Sequence, residues 1–190
     1  GLVLRTLVGC EPGADVVFAT SVSGRDIPVL GVADAVGMQL NTIPVVAPGQ
    51  SDPTLPVTSM LHAMVHHNNQ VRDVQHVSLA DIARDLGTNA SELLDTLMVV
   101  EVPLSPQDVG CPGSPLQVAD VRNNGAPHFP LSVVVNPSAE HPLRLIYDPQ
   151  RITEVRAERI AQMLAVSVDS LLSESGAVAT VGEVAEALGA

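Results

Sequence analysis

The 190-residue sequence predicts an α/β fold, with helices packed on an open mixed β-sheet. Short segments rich in β-branched residues alternate with longer segments of helical periodicity, as in sheets whose strands are joined by helices. Late in the chain, two strand-like segments are separated by only a short polar stretch, and a long amphipathic helix follows them. Because 46% of the residues are hydrophobic and 16% are charged, a well-packed interior is expected.

The first half of the chain predicts two strands and several helices. Residues 2–8, LVLRTLV, are typical of the second half of a buried helix, whose first turns we expect upstream. A strand is expected over 16–22, which is apolar and β-branched. A short helix over 32–38 and a second strand over 41–47 come next, and a long helix over 56–72 follows a proline-rich loop.

The second half predicts a helix from Ser78 to Gly87 and a strand over 93–102. A hairpin-like pair is expected from LSVVVNP and LRLIYD. The helix over 153–172 carries one apolar face, formed by Ala157, Ile160, Ala161, Leu164, Val168 and Leu171. The tail TVGEVAEALGA is acidic and weakly helical.

Charge and composition argue against several classes of function. The net charge is −12 and all nine basic residues are arginine, so the chain repels phosphate backbones and nucleic acid is not an expected partner. No apolar run reaches the roughly 18 residues that a membrane-spanning helix needs. Cys10 and Cys111 are far apart, which favours inert thiols in a reducing cytoplasm over a disulfide framework.

Three histidines lie within MVHHNNQVRDVQH, over 64–76. His62 and His66 are one helical turn apart, so both could reach one metal ion. A catalytic zinc needs about three protein ligands, however, and neither histidine has the glutamate of a zinc protease after it. A polar outer helix face is therefore favoured, and no metal site is predicted.

A series of short motifs follows the chain in a fixed order. Its members are Ser23-Gly24-Arg25, Val36-Gly37, Asn41-Thr42 before Pro44, His76-x-x-Leu79-x-Asp81-Ile82, Asp95-Thr96-Leu97 with Glu101 and Pro103, Pro130-Leu131, and Tyr147-Asp148. In order and spacing, this series resembles the C-terminal half of the condensation domain of nonribosomal peptide synthetases. The resemblance covers nearly the whole chain, and its specificity lies in the series rather than in any one motif.

The resemblance implies one lobe of a two-lobed fold like that of chloramphenicol acetyltransferase, with a tunnel between the lobes. Donor and acceptor thioesters would enter from opposite ends on the 4′-phosphopantetheine arms of carrier proteins, and the intact domain would join them by an amide bond. Much of the rate would come from holding the two arms in line. No cofactor is expected to bind this chain directly.

The catalytic signature of that family is His-His-x-x-x-Asp-Gly, and it belongs to the N-terminal lobe. The pair His66-His67 does not match it, because Val71 and Arg72 stand where Asp and Gly are required. The pair also follows the Asn-Thr motif, whereas the family places its catalytic histidines earlier. The resemblance therefore implies that this chain contains no catalytic residue and is inactive by itself.

The predicted boundaries follow from the same resemblance. Residues 1–173 would form the C-terminal lobe, and residues 174–190 would begin a linker to a following module. Within the lobe, 103–127 would cross to the sheet of the N-terminal lobe, with 116–121 as the visiting strand. In the absence of that partner, the unpaired strand favours self-association.

Five residues are candidates for the substrate side of the tunnel: Ser23, Gly24, Arg25, Asn41 and Thr42. The first three lie where a strand ends and the chain turns, a usual place for site residues in α/β layers. The alternative is a turn stabilised by an ion pair of Arg25, and this alternative is favoured. The Asn-Thr pair would hydrogen-bond across the lobe junction or cap the short helix before it, and the structural role is again favoured.

Three arginines are candidates for contact with a carrier protein: Arg151, Arg156 and Arg159. They could face the acidic helix of a carrier, although an arginine-bearing helix face is more often simply solvated. The N-terminal lobe and the adjacent synthetase domains are the other expected partners.

Three departures from the family pattern reduce aromatic packing. Gln39 and Leu94 stand where the family usually has phenylalanine, and the stretch from Glu101 to Pro103 lacks the family's Asn-Tyr. They fit ordinary divergence or a non-catalytic relative that recruits a partner enzyme. An epimerisation domain is a further alternative, against which the Asn-Thr motif argues, and a freestanding acyltransferase of the same superfamily is more distant.

Overall fold

The computed structural model describes residues 14–47, 52–101, 128–138, 141–173 and 179–188. Its strands and helices, in chain order, are β1 (Val16–Ser23), β2 (Leu40–Ala47), α1 (Val57–Val71), α2 (Leu79–Asp85), α3 (Ala90–Leu93), β3 (Thr96–Val100), β4 (Leu131–Val135), β5 (Leu143–Tyr147), α4 (Glu154–Leu172) and α5 (Val181–Ala187). The helix predicted over 2–8 and the crossover predicted over 103–127, with its strand over 116–121, lie outside the described residues.

The five strands form one open sheet in the order β2-β1-β3-β4-β5. The outer pairs β1–β2 and β4–β5 are antiparallel, whereas β1–β3 and β3–β4 are parallel. Val133 is paired with Met98 on one side and Leu145 on the other. Pro44 is tolerated in β2 because this strand is at the edge of the described sheet. The predicted mixed sheet and the predicted hairpin-like pair are thereby confirmed.

Helices α1 and α4 cover the same face of the sheet on either side of β3. Met64 of α1 packs against the buried Phe18 and Val45 of β1 and β2. Ile160 of α4 packs against the buried Leu131 and Val133 of β4. Each of these two helices therefore covers its own cluster of buried sheet residues.

The apolar face predicted for α4 is confirmed at its centre and differs at its C-terminal end. Ala157 and Ile160 are buried as predicted, and Met163 is buried beside them. Val168 is 46% exposed, because it lies at the margin of a groove between α1 and α4. None of the helices in the described ranges is long and apolar enough to cross a membrane.

The C-terminal helix α5 packs onto the start of α1. Val181 and Val184 are buried together with Val57, which is 1% exposed. The N–H of Val57 donates to the carbonyl of Ala179 at 2.9 Å, and the N–H of Val181 donates to the carbonyl of Leu55 at 2.9 Å. Residues 181–187 of the tail thus form a helix that contacts the start of α1, while the predicted boundary between lobe and linker after residue 173 stays a prediction.

A capping box begins α5. The carboxylate of Glu183 accepts the backbone N–H of Thr180 at 2.8 Å and its hydroxyl at 3.1 Å. These hydrogen bonds hold the pKa of Glu183 below its usual range. A carboxyl whose pKa is lowered in the folded state stabilises the fold above the unfolded-state pKa, and this contribution is lost as pH falls through the folded-state pKa. Acid therefore weakens the start of α5.

Two predicted elements are wrong in extent. Residues 32–38 do not form a helix, since only Val32–Asp34 makes a 3₁₀ turn. The turn ends at Ala35, whose backbone is extended at φ −66° and ψ 127°, and Gly37 beyond it has a positive φ of 145°, so the helical path does not continue. The strand predicted from residue 93 begins at Thr96 instead, because the short helix α3 extends to Leu93.

Candidate functional site

The substrate-side candidates lie together at one end of the β1–β2 pair: Ser23, Gly24, Arg25, Asn41 and Thr42. Ser23 ends β1 opposite Leu40, the first residue of β2. The loop 24–39 joins the two strands and contains the 3₁₀ turns Gly24–Asp26 and Val32–Asp34. The fold brings the five residues together at this end of the strand pair, and their place on the substrate side stays a prediction.

Gly24 brings the two ends of this loop into contact. Its N–H donates to the carbonyl of Gln39 at 2.7 Å. A Cβ atom on Gly24 would lie 2.8 Å from that oxygen, which is closer than real side chains come. Ser23 begins the adjacent turn, because its hydroxyl accepts the N–H of Arg25 at 3.3 Å. Glycine is required here by a close backbone approach, a reason that the motif alone does not reveal.

The side chain of Arg25 organises the loop from inside. Its guanidinium donates to the carbonyls of Ala33 at 2.9 Å, Ala35 at 2.8 Å and Gly37 at 3.2 Å. The sequence favours an ion pair of Arg25 as the stabiliser of this turn, whereas the acceptors found are backbone carbonyls. The guanidinium of Arg25 therefore has a structural role in this loop, through its hydrogen bonds to backbone carbonyls. The tunnel-lining role of Arg25 stays a prediction.

Asn41 ties β2 to the segment between α1 and α2. Its Nδ2 donates to the carbonyls of Gln75 at 2.7 Å and Val77 at 2.9 Å, and its Oδ1 accepts the N–H of Thr42 at 2.9 Å. Both side-chain N–H donors are therefore used within this chain. The predicted cap of the short helix is wrong, since that helix is absent and Asn41 bonds elsewhere. A hydrogen bond across the lobe junction stays a prediction, and the Oδ1 atom has acceptor capacity left for it.

Gln39 leaves a buried acceptor without a partner. Its Oε1 atom is buried, and no donor in the described part of the chain lies within hydrogen-bonding distance. An unpaired buried acceptor costs free energy, because its hydration is lost and nothing replaces it.

Replacing Gln39 with methionine is expected to raise the free energy of unfolding by about 1 kcal/mol, because the side chain keeps its length and loses the unpaired oxygen. Urea unfolding followed by circular dichroism measures the change. The matched control is Gln70→Met on the exposed face of α1, for which we expect a change within about 0.5 kcal/mol. A destabilisation by Gln39→Met would show that the Oε1 atom has a hydrogen-bond donor after all.

The three arginines proposed for carrier contact differ in their surroundings. Arg151 forms an ion pair with Asp95 at 3.3 Å, and both side chains are more than half exposed, so the pair adds little stability. Arg156 and Arg159 are exposed on α4, three residues apart and therefore on one side of the helix. Their role in carrier contact stays a prediction.

The histidines of α1 form a polar helix surface. His62 and His66 are exposed, and the Nε2 atom of His66 lies 3.2 Å from that of Gln70. Within the described ranges, no group of three or more histidine, cysteine, aspartate or glutamate side chains is arranged to hold a metal ion.

A groove of about 340 Å³ lies over β3 between α1 and α4. Its floor includes Phe18 and Met98, and its sides include Met64 and Leu164. The groove is almost entirely apolar, and the hydroxyl of Ser167 donates to a backbone carbonyl of its own helix at 2.8 Å. Among the described residues, its lining includes the hydroxyl side chains of Thr96 and Ser167 and no titratable side chain, and none of the five candidate residues lines it.

Comparison with known families gives the affiliation of the chain. The family model described as Condensation domain matches residues 3–177. The chain belongs to the condensation domain family. Vanchrobactin synthetase VabF of Vibrio anguillarum is 30% identical over 166 residues, which are 85% of this chain and 6% of that protein. Tyrocidine synthase 2 of Brevibacillus parabrevis is 28% identical over 171 residues, which are 85% of this chain and 4% of that protein. The chain thus spans a small part of these relatives.

Solved structures support the same fold. The first condensation domain of the CDA synthetase has a TM-score of 0.62 and 21% identity, covering 96% of this chain and 39% of that chain. The protein named CT has a TM-score of 0.75 and 20% identity, covering 95% of this chain and 40% of that chain. The predicted relationship to nonribosomal peptide synthetase condensation domains and to their chloramphenicol-acetyltransferase-like fold is confirmed.

Sequence reasoning missed the structural roles of two candidate residues and the docking of the tail. The carbonyl acceptors of Arg25 are spread over a loop whose path no local pattern predicts. The acceptors of Asn41 lie 34 and 36 residues away, again without a local signal. The tail did carry a signal, since Thr180-x-x-Glu183 is a capping-box sequence.

Proposed function

We propose that this chain is the C-terminal lobe of a nonribosomal peptide synthetase condensation domain. The intact domain would join a donor acyl or peptidyl thioester to an acceptor aminoacyl thioester by an amide bond. The observation that supports this best is the extent of the match: 96% of this chain corresponds to 39% of the solved chain of the first condensation domain of the CDA synthetase. That share is close to what one half of a two-lobed domain provides.

In this reaction, the acceptor amine attacks the donor thioester carbonyl, the carbon–sulfur bond breaks, and the donor arm leaves as a thiol. A thioester is already activated, so alignment of the two arms supplies much of the rate. This lobe would form one wall of the tunnel, and the ties made by Arg25 and Asn41 would keep that wall rigid. The His-His-x-x-x-Asp-Gly signature, which the sequence lacks, would come from the N-terminal lobe.

The partners follow from the same proposal. Carrier proteins would present both substrates on 4′-phosphopantetheine, so this chain needs no cofactor of its own. Arg156 and Arg159 would meet a carrier at the exposed side of α4, and neighbouring synthetase domains would flank the lobe. Cytoplasmic location and self-association of the isolated chain stay predictions.

A non-catalytic recruitment domain is the second candidate, because Gln39 and Leu94 depart from the family pattern. Leu94 is 3% exposed, so it fills the core as an aliphatic replacement for phenylalanine. This favours ordinary divergence at that position. The unpaired Oε1 atom of Gln39 is the remaining observation in favour of a domain under weaker constraint.

The test is single-turnover condensation by the polypeptide that contains this chain, with aminoacyl thioesters loaded on its donor and acceptor carriers. Intact-protein mass spectrometry should show the dipeptide on the acceptor carrier. The isolated 190-residue chain should give none. A complete domain that binds loaded carriers without forming the amide would contradict the catalytic assignment and support recruitment.

A further inference from the structure

A second polar cluster lies at the edge of the sheet where the parallel strands end. Strands β1, β3 and β4 run in one direction, so their carboxyl ends share this edge, and the antiparallel strands β2 and β5 begin there. Ser23 is the last residue of β1, Glu101 and Asn136 directly follow β3 and β4, and Arg144 is the second residue of β5. Open α/β sheets commonly bind their ligands beyond the carboxyl ends of the parallel strands.

Glu101 is at the level of Ser23, one of the substrate-side candidates. Ala19 of β1 is opposite Leu97 of β3, and Ser23 and Glu101 each lie four residues further along these strands. Side chains that are an even number of residues apart in a strand share one face of the sheet, so Ser23 and Glu101 are on the same face. Thr42 of β2 shares this face, because its partner is the residue of β1 two positions before Ser23.

The carboxylate of Glu101 is held in a fixed direction. The backbone N–H of Glu101 donates to the carbonyl of Val135 at 2.8 Å. One carboxylate oxygen accepts a hydrogen bond from the guanidinium of Arg144 at 3.1 Å, and the other accepts one from the Nδ2 atom of Asn136 at 3.4 Å. The Oδ1 atom of Asn136 in turn accepts the N–H of Ser138 at 3.1 Å. A side chain that is fixed in advance loses less conformational entropy when a ligand binds.

The ion pair of Glu101 and Arg144 has hydrogen-bonding capacity left for a ligand. A carboxylate offers about four acceptor positions and a guanidinium about five N–H donors. In the described part of the chain, the carboxylate of Glu101 accepts two hydrogen bonds and the guanidinium of Arg144 donates one. Their side chains are 37% and 56% exposed, so a ligand can reach both. The pair therefore offers a negatively charged acceptor and a positively charged donor side by side.

We propose that Glu101 and Arg144 together bind the aminoacyl group of the acceptor thioester. This inference rests on the proposed function, because that function supplies the acceptor. An α-amine has a pKa of about 7.7 to 8.0, so near neutral pH it is mostly an ammonium group, which the carboxylate of Glu101 complements. The carbonyl oxygen of the same aminoacyl group is one carbon away from the amine and takes a donor of Arg144. The two residues bind and orient the acceptor, and the amide forms by the reaction already described.

The phosphate of a carrier arm fits this pair less well than the aminoacyl group does. A phosphate is bound best where cationic side chains are not already neutralised. The guanidinium of Arg144 lies 3.1 Å from a carboxylate oxygen, in a chain of net charge −12, so an anion at this place is repelled. A group that carries an ammonium beside a carbonyl matches both members of the pair.

Calorimetric titration of the intact polypeptide with two stable probes tests this binding. The amino probe is the amino acid that the polypeptide loads on its acceptor carrier, joined to aminopantetheine as an amide. The hydroxy probe is the corresponding 2-hydroxy acid, joined in the same way. The native polypeptide should bind the amino probe about tenfold more tightly, because hydrogen bonds between charged groups are the stronger ones. Glu101→Gln should weaken binding of the amino probe about tenfold and that of the hydroxy probe by less than about twofold.

The matched control is Glu186→Gln, which removes the same charge from an exposed position of α5. It should change neither affinity by more than about twofold. An equal loss of both affinities in Glu101→Gln would assign Glu101 a structural role, and unchanged binding of the amino probe would exclude the contact. Both outcomes overturn the inference, and so does a native polypeptide that shows no measurable binding of the amino probe.

The same samples are assayed for single-turnover amide formation from loaded carriers, which separates two kinds of failure. An enzyme that forms the amide and keeps its preference for the amino probe in Glu101→Gln would overturn the inference and leave the proposed function intact. A native polypeptide that binds both loaded carriers without forming the amide would overturn the proposed function and, with it, this inference.

Discussion

Replacing Asn41 with aspartate should lower the free energy of unfolding by about 3 kcal/mol at neutral pH, because a carboxylate would face two carbonyl oxygens without a hydrogen to share. In the native chain, the Nδ2 atom donates to the carbonyls of Gln75 and Val77. The substitution keeps size and shape, removes both hydrogen bonds and adds repulsion between like partial charges. Urea unfolding monitored by circular dichroism gives the change.

The loss at Asn41→Asp should depend on pH in a defined direction. The facing carbonyls raise the pKa of the new carboxyl in the folded state above its unfolded value of about 3.9. The penalty is therefore small below the unfolded pKa, grows as pH rises through the raised folded-state pKa, and is constant above it. Unfolding curves measured between acid and neutral pH should show this rise.

Two control variants identify the cause. Asn41→Ala removes the donors without adding charge, so its cost should be about 1 to 3 kcal/mol and should not follow the titration of a carboxyl. Asn69→Asp introduces the same charge on the exposed face of α1 and should change stability by no more than about 0.5 kcal/mol. Equal, pH-independent effects of Asn41→Asp and Asn69→Asp would contradict the tie between β2 and the segment after α1.

The second large effect is expected at Ile160. Its side chain is 3% exposed and packs against Leu131 and Val133 beneath α4. Ile160→Ala removes buried methyl and methylene groups and leaves a cavity, so a loss of about 2 to 5 kcal/mol is expected. The control Val155→Ala lies at a 76% exposed position of the same helix and should stay within about 0.5 kcal/mol. A loss below about 1 kcal/mol at Ile160 would mean that α4 presents a different face to the sheet.

The elements with strong periodicity could be predicted from the sequence. The apolar positions of α4 recur at three- and four-residue spacing, which predicts a helix. The strands β4 and β5 are short runs rich in β-branched and aliphatic residues, which predicts strands. The composition of 32–38 suits a helix, yet the helix predicted there is wrong. The extended backbone at Ala35 and the positive φ at Gly37 end the helical path, and the composition of the segment predicts neither.

The strand boundaries beside the candidate residues could be predicted, whereas the hydrogen bonds of these residues could not. The sequence pattern placed Ser23 just after one strand and Asn41 at the start of the next, and the pairing of the two strands came from the structure. Which atoms Arg25 and Asn41 contact depends on residues brought close by the fold, and single-sequence patterns carry no information on them. The contact between α5 and Val57 could not be predicted for the same reason, because α5 and Val57 are more than a hundred residues apart in the sequence.

On the proposed assignment, this lobe supports condensation without supplying the reacting histidines. The decisive quantity is the amide-forming rate of the intact polypeptide carrying His66→Gln and His67→Gln together. Both positions lie on α1 and do not match the family signature, so the rate should remain within about twofold of the unsubstituted enzyme. Removal of a general acid or base would instead lower the rate by roughly 10²- to 10⁴-fold. A loss of about 10²-fold or more in a folded enzyme would place the catalytic histidines in this chain and refute the assignment.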